Sequence, residues 1–191
     1  MLDSARELAP PGVKVASSGC LARCGSGPNV QLRPSGLEVS FVDSTEALAA
    51  LIQLQCEGGE GTATVGEALR LRRRGEKALE AGSAGEAQSL LSDALLLQPV
   101  RGQHLSLAAR AAARLALGDA AGALLDAVAA SATGPPEWTK GLVREAGALL
   151  ALGDRDRARA VLEAVAARDR SVLRLDKEAA ALMAALDELL P

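Results

Sequence analysis

Ala116-Leu117-Gly118-Asp119 and Ala151-Leu152-Gly153-Asp154 are the same four residues 35 positions apart, and Glu80-Ala81-Gly82-Ser83 stands 36 positions before the first of them. Each glycine ends a run whose apolar residues recur at helical spacing. Each is followed five residues later by an alanine, Ala87, Ala123 and Ala158. Glycine closes a helix at little cost because it accepts a left-handed backbone. Pro99 and Pro135 stop the helices that follow, because proline cannot donate into a helical ladder. The alanines mark places where two helices approach closely and a larger side chain would force them apart. The spacing predicts helix pairs with a period of about 35 residues.

The 191 residues are 49% hydrophobic and 24% charged, with a formal net charge of −3. That fits one ordinary domain or two small ones and excludes both an acidic disordered tail and a strongly basic nucleic-acid binder. Phe41 and Trp138 are the only aromatic residues, which removes stacking platforms for single-stranded nucleic acid. A single histidine, His104, excludes a metal site of several imidazoles. No phosphate loop, nucleophile elbow or HExxH occurs, so no enzyme chemistry is expected. Cys20, Cys24 and Cys56 are too few for a disulfide scaffold, and no apolar run reaches the roughly 20 residues that span a bilayer. Thiols without a secretory signal predict a reducing intracellular compartment, plastid or cytoplasm.

Residues 1–60 hold four basic and seven acidic side chains, whereas the remainder is balanced at 17 of each. Residue types shift at the same place, from Gly, Pro, Ser and Val to Ala, Leu and Arg. The expected organisation is an α+β chain of two modules: a head over 1–56, a Gly-rich linker at 57–63, a helical module over 64–175 and a closing helix over 176–191.

The helical module resembles tetratricopeptide repeats, helix–turn–helix units of about 34 residues. Gly75, Ala87, Ala94 and Pro99 fall on the family's small and terminal positions in a unit over about 66–99, and Ala111, Ala123, Ala130 and Pro135 do so over 102–135. A third unit, 138–170, keeps Ala146 and Ala158 but has Val165 and Arg170 where Ala and Pro are expected. Leu71, Ala78 and Leu91 stand at positions the family fills with aromatics. The resemblance implies an all-α solenoid whose first helices line a concave groove for a peptide or partner helix. Its groove positions would be Leu69, Arg72 and Glu76, then Leu105, Ala108 and Ala112, then Lys140, Val143 and Gly147. The Lys/Asn set with which some members clamp a C-terminal carboxylate is missing, so a mostly apolar partner segment is expected rather than a chaperone tail. By residue type alone, Arg70, Arg72, Arg73 and Arg74 are a solvated helix face paired with Glu76 and other acids. His104 is a surface or groove residue, and Trp138 a packing residue at a helix start. No nucleic-acid partner is expected of a charge-balanced module without aromatics.

In the head, Asp3–Leu8 suggests a helix, and Val13–Ser17, Asn29–Arg33 and Leu37–Val42 alternate as strands, the last two joined by Pro34-Ser35-Gly36. Ser44 then caps a helix with Ala47, Leu48, Leu51, Ile52 and Leu54 apolar. Between the first two strands lies a C-x₃-C, Cys20 to Cys24, followed by Gly25, Gly27 and Pro28. The glycines let backbone amides approach whatever the sulfurs hold. This run is similar to the C-terminal half of a thioredoxin-like [2Fe–2S] ferredoxin. The resemblance implies a partial thioredoxin-like α/β domain, Cys20 and Cys24 as thiolate ligands of one iron, and Gly25 to Asn29 as a shield for the cluster. The ligand set is incomplete, because the family's other cysteine pair lies upstream and Cys56 is single and distant. Three explanations stay open: a chain that begins downstream of that pair, a scaffold that has lost its cluster, and a redox dithiol or a metal shared across a homodimer.

The predicted function is a protein-interaction scaffold of tetratricopeptide type carrying a ferredoxin-like head with an iron–sulfur or redox role. The alternative is a [2Fe–2S] electron-transfer protein whose repeats dock it to a partner. The helical module, with local contacts and balanced charge, is expected to fold from about Thr62 onward without the head.

Overall fold

The computed structural model describes residues 2–17, 28–56, 61–169, 171–172 and 176–188. The elements are α1 (Leu2–Leu8), β1 (Val30–Gln31), β2 (Glu38–Val39), α2 (Thr45–Gln55) and α3 (Thr62–Glu80). There follow α4 (Ala84–Leu96), α5 (Gln103–Ala116), α6 (Ala120–Thr133), α7 (Lys140–Ala151), α8 (Arg155–Arg168) and α9 (Lys177–Glu188). They form two compact units, Met1–Arg70 with Leu97–Arg101, and Leu71–Leu96 with Gly102–Pro191.

The division falls inside α3 rather than at residues 57–63, and burial explains why. Val65 and Leu69 of α3 join Leu8, Val42, Leu48, Ala49 and Ile52 in the core of the first unit. A Cβ added at Gly66 would lie 3.1 Å from the Ala49 methyl, so α2 and the first turns of α3 touch almost backbone to backbone. Arg101 donates to the Leu8 carbonyl at 2.9 Å and to the Thr62 hydroxyl at 3.1 Å, tying the chain after α4 to the same unit. A cut near Thr62 would strip Val65 and Leu69 of the neighbours they have in the first unit's core.

Ser44 caps α2, its hydroxyl accepting from the Ala47 N–H at 3.0 Å. The hairpin forms as the turn residues indicate, Val30 opposite Val39 and Gln31 opposite Glu38, with Gly36 at φ +73° in the connection. The strand expected over Val13–Ser17 does not form. The chain turns after Pro10, Val13 N–H bonding the Pro10 carbonyl, and Val13, Lys14, Ala16 and Ser17 face water with no neighbouring strand among the described residues. A sheet of two two-residue strands is all that the described residues hold, and a thioredoxin-like layout is not among them.

In the second unit the three quoted turns are superimposable in their bonding. Gly82, Gly118 and Gly153 have φ of +81°, +80° and +84°, a region open to glycine and strained for other residues. The next N–H in each case, from Ser83, Asp119 and Asp154, bonds the carbonyl five residues back. Asp119 and Asp154 then cap the following helices, accepting from Gly122 N–H at 2.9 Å and Arg157 N–H at 3.2 Å. The core is built of small residues where helices cross. Ala111, Ala123, Ala127 and Ala148 form one cluster, and a Cβ on Gly75 would lie 2.8 Å from Leu91 Cγ. Toward the C-terminus the core widens to Val143, Leu149, Leu162, Val165 and Leu186, and α9 closes it. Val165, a departure from the repeat pattern, is fully buried in that wider core.

Candidate peptide-binding groove

Helices α5 and α7 pack side by side, and α9 lies against α7. Burial sorts the nine groove positions. Leu69 is 2% exposed in the first unit's core, and Ala108 and Val143 are buried between helices of the second, so none of these three can receive a partner. Arg72 is also nearly buried, paired with Glu76 one turn away. Glu76, Leu105, Ala112 and Gly147 are half-buried and Lys140 is exposed.

The structure adds residues that the repeat pattern does not single out. An ideal Cβ at Gly147 would sit 3.6 Å from Leu115 of α5 and 3.7 Å from Leu182 of α9, ordinary contact distances. The missing side chain therefore leaves a dip between two leucines, on a line that crosses three helices. One turn earlier on α7, Arg144 pairs with Glu178 of α9. The Glu145 carboxyl is held above its ordinary range by burial, which the charge of Arg157 only partly offsets. Nearer the loop ends, the His104 ring meets Trp138 edge to face, centroids 4.9 Å apart at 81°. Burial, and then the charge of Arg72, lower the His104 pKa, so the ring is neutral at pH 7. Trp138 packs over glycines: a Cβ on Gly134 or Gly141 would come within 2.8 Å or 3.0 Å of its indole.

Behind this face α5 and α6 are locked by charge. Asp126 is 5% exposed, and Arg110 holds both its oxygens at 2.8 Å, while Arg114 reaches one at 3.1 Å. The bond to Asp126 raises the Arg110 pKa against the pull of burial. The signal was present in the sequence, since Arg110 and Arg114 are one turn apart and Asp126 is the only charge on α6.

This stack of antiparallel helix pairs is similar to solved structures. The first TPR domain of Spaghetti (RPAP3), bound to the HSP90 peptide SRMEEVD, matches with a TM-score of 0.54 and 24% identity, over 64% of this chain and 94% of that one. The second TPR domain of human RPAP3, in complex with the HSP70 peptide SGPTIEEVD, gives 0.53 and 20% over 63% and 95%. The Arabidopsis OM64 TPR domain gives 0.54 and 19% over 64% and 96%. The chain carries a tetratricopeptide fold. No protein-family model and no curated protein matches the sequence. The tetratricopeptide helices are thus shown by shape, with the groove residues read from this chain's own geometry.

The ferredoxin-like site has no such support. Cys20, Cys24, Gly25 and Gly27 lie outside the described residues. Cys56 is a free thiol, half-buried at the end of α2 against the core of the first unit. Among the described residues no three His, Cys, Asp or Glu side chains converge. An open cleft of about 300 Å³ between α2 and the start of α3 is floored by Ala49, Ala63 and Gly66, and belongs to the first unit rather than to the groove. No helix among the described residues is long and apolar enough to cross a membrane.

Proposed function

We propose that this protein is a non-enzymatic interaction module whose tetratricopeptide face on α5, α7 and α9 receives a mostly apolar segment of a partner protein. The observation that carries it is the dip at Gly147 between Leu115 and Leu182, where a methyl-sized group meets both leucines at ordinary contact distances. Peptide binding by the RPAP3 domains supports the same use of the same fold. Charge favours an apolar segment over acidic tails such as theirs. Arg144 of α7 is engaged by Glu178 of α9, so its positive charge on this face is already answered. The [2Fe–2S] electron-transfer alternative gains nothing from the described residues.

Selection of displayed random peptides on the full chain tests the reading, with binding then measured by fluorescence anisotropy on wild type and Gly147→Leu. Peptides with an apolar anchor that lose at least about tenfold in affinity on Gly147→Leu, a loss of about 1.4 kcal/mol, support it. SRMEEVD is the acidic comparison probe. Failure to enrich any peptide, or equal binding to the variant with unchanged helical circular dichroism, overturns it.

A further inference from the structure

Helix α6 turns an uncharged ridge to water on the side opposite its core. Ala123, Asp126, Ala127 and Ala130 face α5 and α7, and half a turn away stand Ala121, Leu125, Val128 and Ala132. Leu125 is 72% exposed and Val128 47%. The sister helices do otherwise at the same places. Seven residues after the turn glycine, α4 has Ser89 and α8 has Ala160 where α6 has Leu125; ten residues after it they have Ser92 and Glu163 where α6 has Val128. Lys, Arg and Glu are absent from α6, and its one charge, Asp126, is buried. Two large apolar side chains turned to water at these places, in the middle repeat alone, are the pattern of a covered surface.

The order of sizes along that ridge says what covers it. Small, large, large, small at 121, 125, 128 and 132 is symmetric about the midpoint between Asp126 and Ala127, which is also the midpoint of Ala120–Thr133. A two-fold axis crossing there sets two copies of α6 antiparallel over their whole length. It brings Leu125 against the partner's Val128, and Ala121 against the partner's Ala132. The contact is isologous, as closed dimers require, and the alanines at both ends let the helices approach. We infer that α6 is a homodimerisation ridge and that the second copy of this chain is its partner. The ridge runs about 16 Å at 1.5 Å per residue, a small interface of the weak, reversible class.

Sedimentation equilibrium of the full chain across a concentration series decides it. The expected mass rises from 19.4 kDa toward twice that value, with half-association at roughly 10–100 μM. Leu125→Lys and Val128→Lys add a charge at exposed positions, so they keep the helical circular dichroism while weakening association more than tenfold. Ser89→Lys, at the matching place on α4, and Gly147→Leu, in the peptide groove, leave the association unchanged. Failure of groove binding would therefore not touch this result. A constant 19.4 kDa up to about 200 μM overturns the inference. So does an assembly that ignores both α6 substitutions, or one that Ser89→Lys dissolves.

Discussion

Asp126→Ala tests whether the buried charge cluster holds α5 to α6. The carboxylate side chain is 6% exposed, and the two arginines around it, Arg110 and Arg114, are 18% and 21% exposed. Removing it leaves two guanidiniums largely out of water, Arg110 without its anion and Arg114 with only Asp119 at 3.8 Å. Breaking one partner out of a buried pair costs about 3–5 kcal/mol. The lower end applies here, because Arg110 keeps Ser92 Oγ at 3.2 Å and Arg114 keeps the Gly122 carbonyl at 2.8 Å. About 3 kcal/mol is a large share of the 5–15 kcal/mol that holds a typical domain, and corresponds to a fall in Tm of roughly 6–12 °C for a chain of this size. Urea unfolding followed at 222 nm measures it. Arg110→Ala and the double variant complete a cycle in which the double change costs less than the sum of the singles, since both halves of one pair are then gone. The loss is insensitive to salt between 0.1 and about 0.5 M, unlike that of an exposed pair. A loss below about 1 kcal/mol, or strict additivity in the cycle, refutes the reasoning.

Ala123→Leu adds volume at a fully buried site walled by Ala111, Ala127 and Ala148, and should cost about 1–3 kcal/mol by urea unfolding; an unchanged midpoint would mean the helix register is wrong. The Glu145 carboxyl is raised above 4.5 by burial, so the fold favours its protonated form and loses stability as pH rises through the ordinary carboxylate range. Glu145→Gln should accordingly raise Tm at pH 7, with the gain shrinking toward pH 4; a gain independent of pH would contradict this. His104 is lowered by burial and by Arg72, so the unfolded chain binds its proton first and stability falls as pH drops below about 6.5. His104→Gln should flatten that fall when urea midpoints are compared at pH 7.5 and 5.0.

What the sequence made legible follows how local the physics is. A turn glycine with its cap is decided by five or six consecutive residues, and all three turns, at Gly82, Gly118 and Gly153, appear where the repeated residues put them. Ser44 and the hairpin around Gly36 are local in the same way. Strand Val13–Ser17 failed because alternation only makes a strand available, and a strand also needs a neighbour to bond. The two compact units divide after Arg70 rather than at 57–63 for a related reason. A Gly-rich stretch marks a break in the helix, yet Val65 and Leu69 choose their core by which apolar residues lie within reach, and Leu8, Val42 and Leu48 do.

The groove shows the same limit from the other side. A repeat register states which face of a helix a residue occupies, and it placed Gly147 on the face that Leu115 and Leu182 also share. It does not state depth. Ala108 and Val143 share the neighbouring register column with Arg72, and all three are buried. Depth follows from the volumes of all neighbours together, and in a core made mostly of alanine one methyl group changes it. Sequence reasoning on such a solenoid therefore finds the face of a helix before it finds which residues stay open on it. Glycine at a face position is its most informative signal, since there the backbone itself forms the floor.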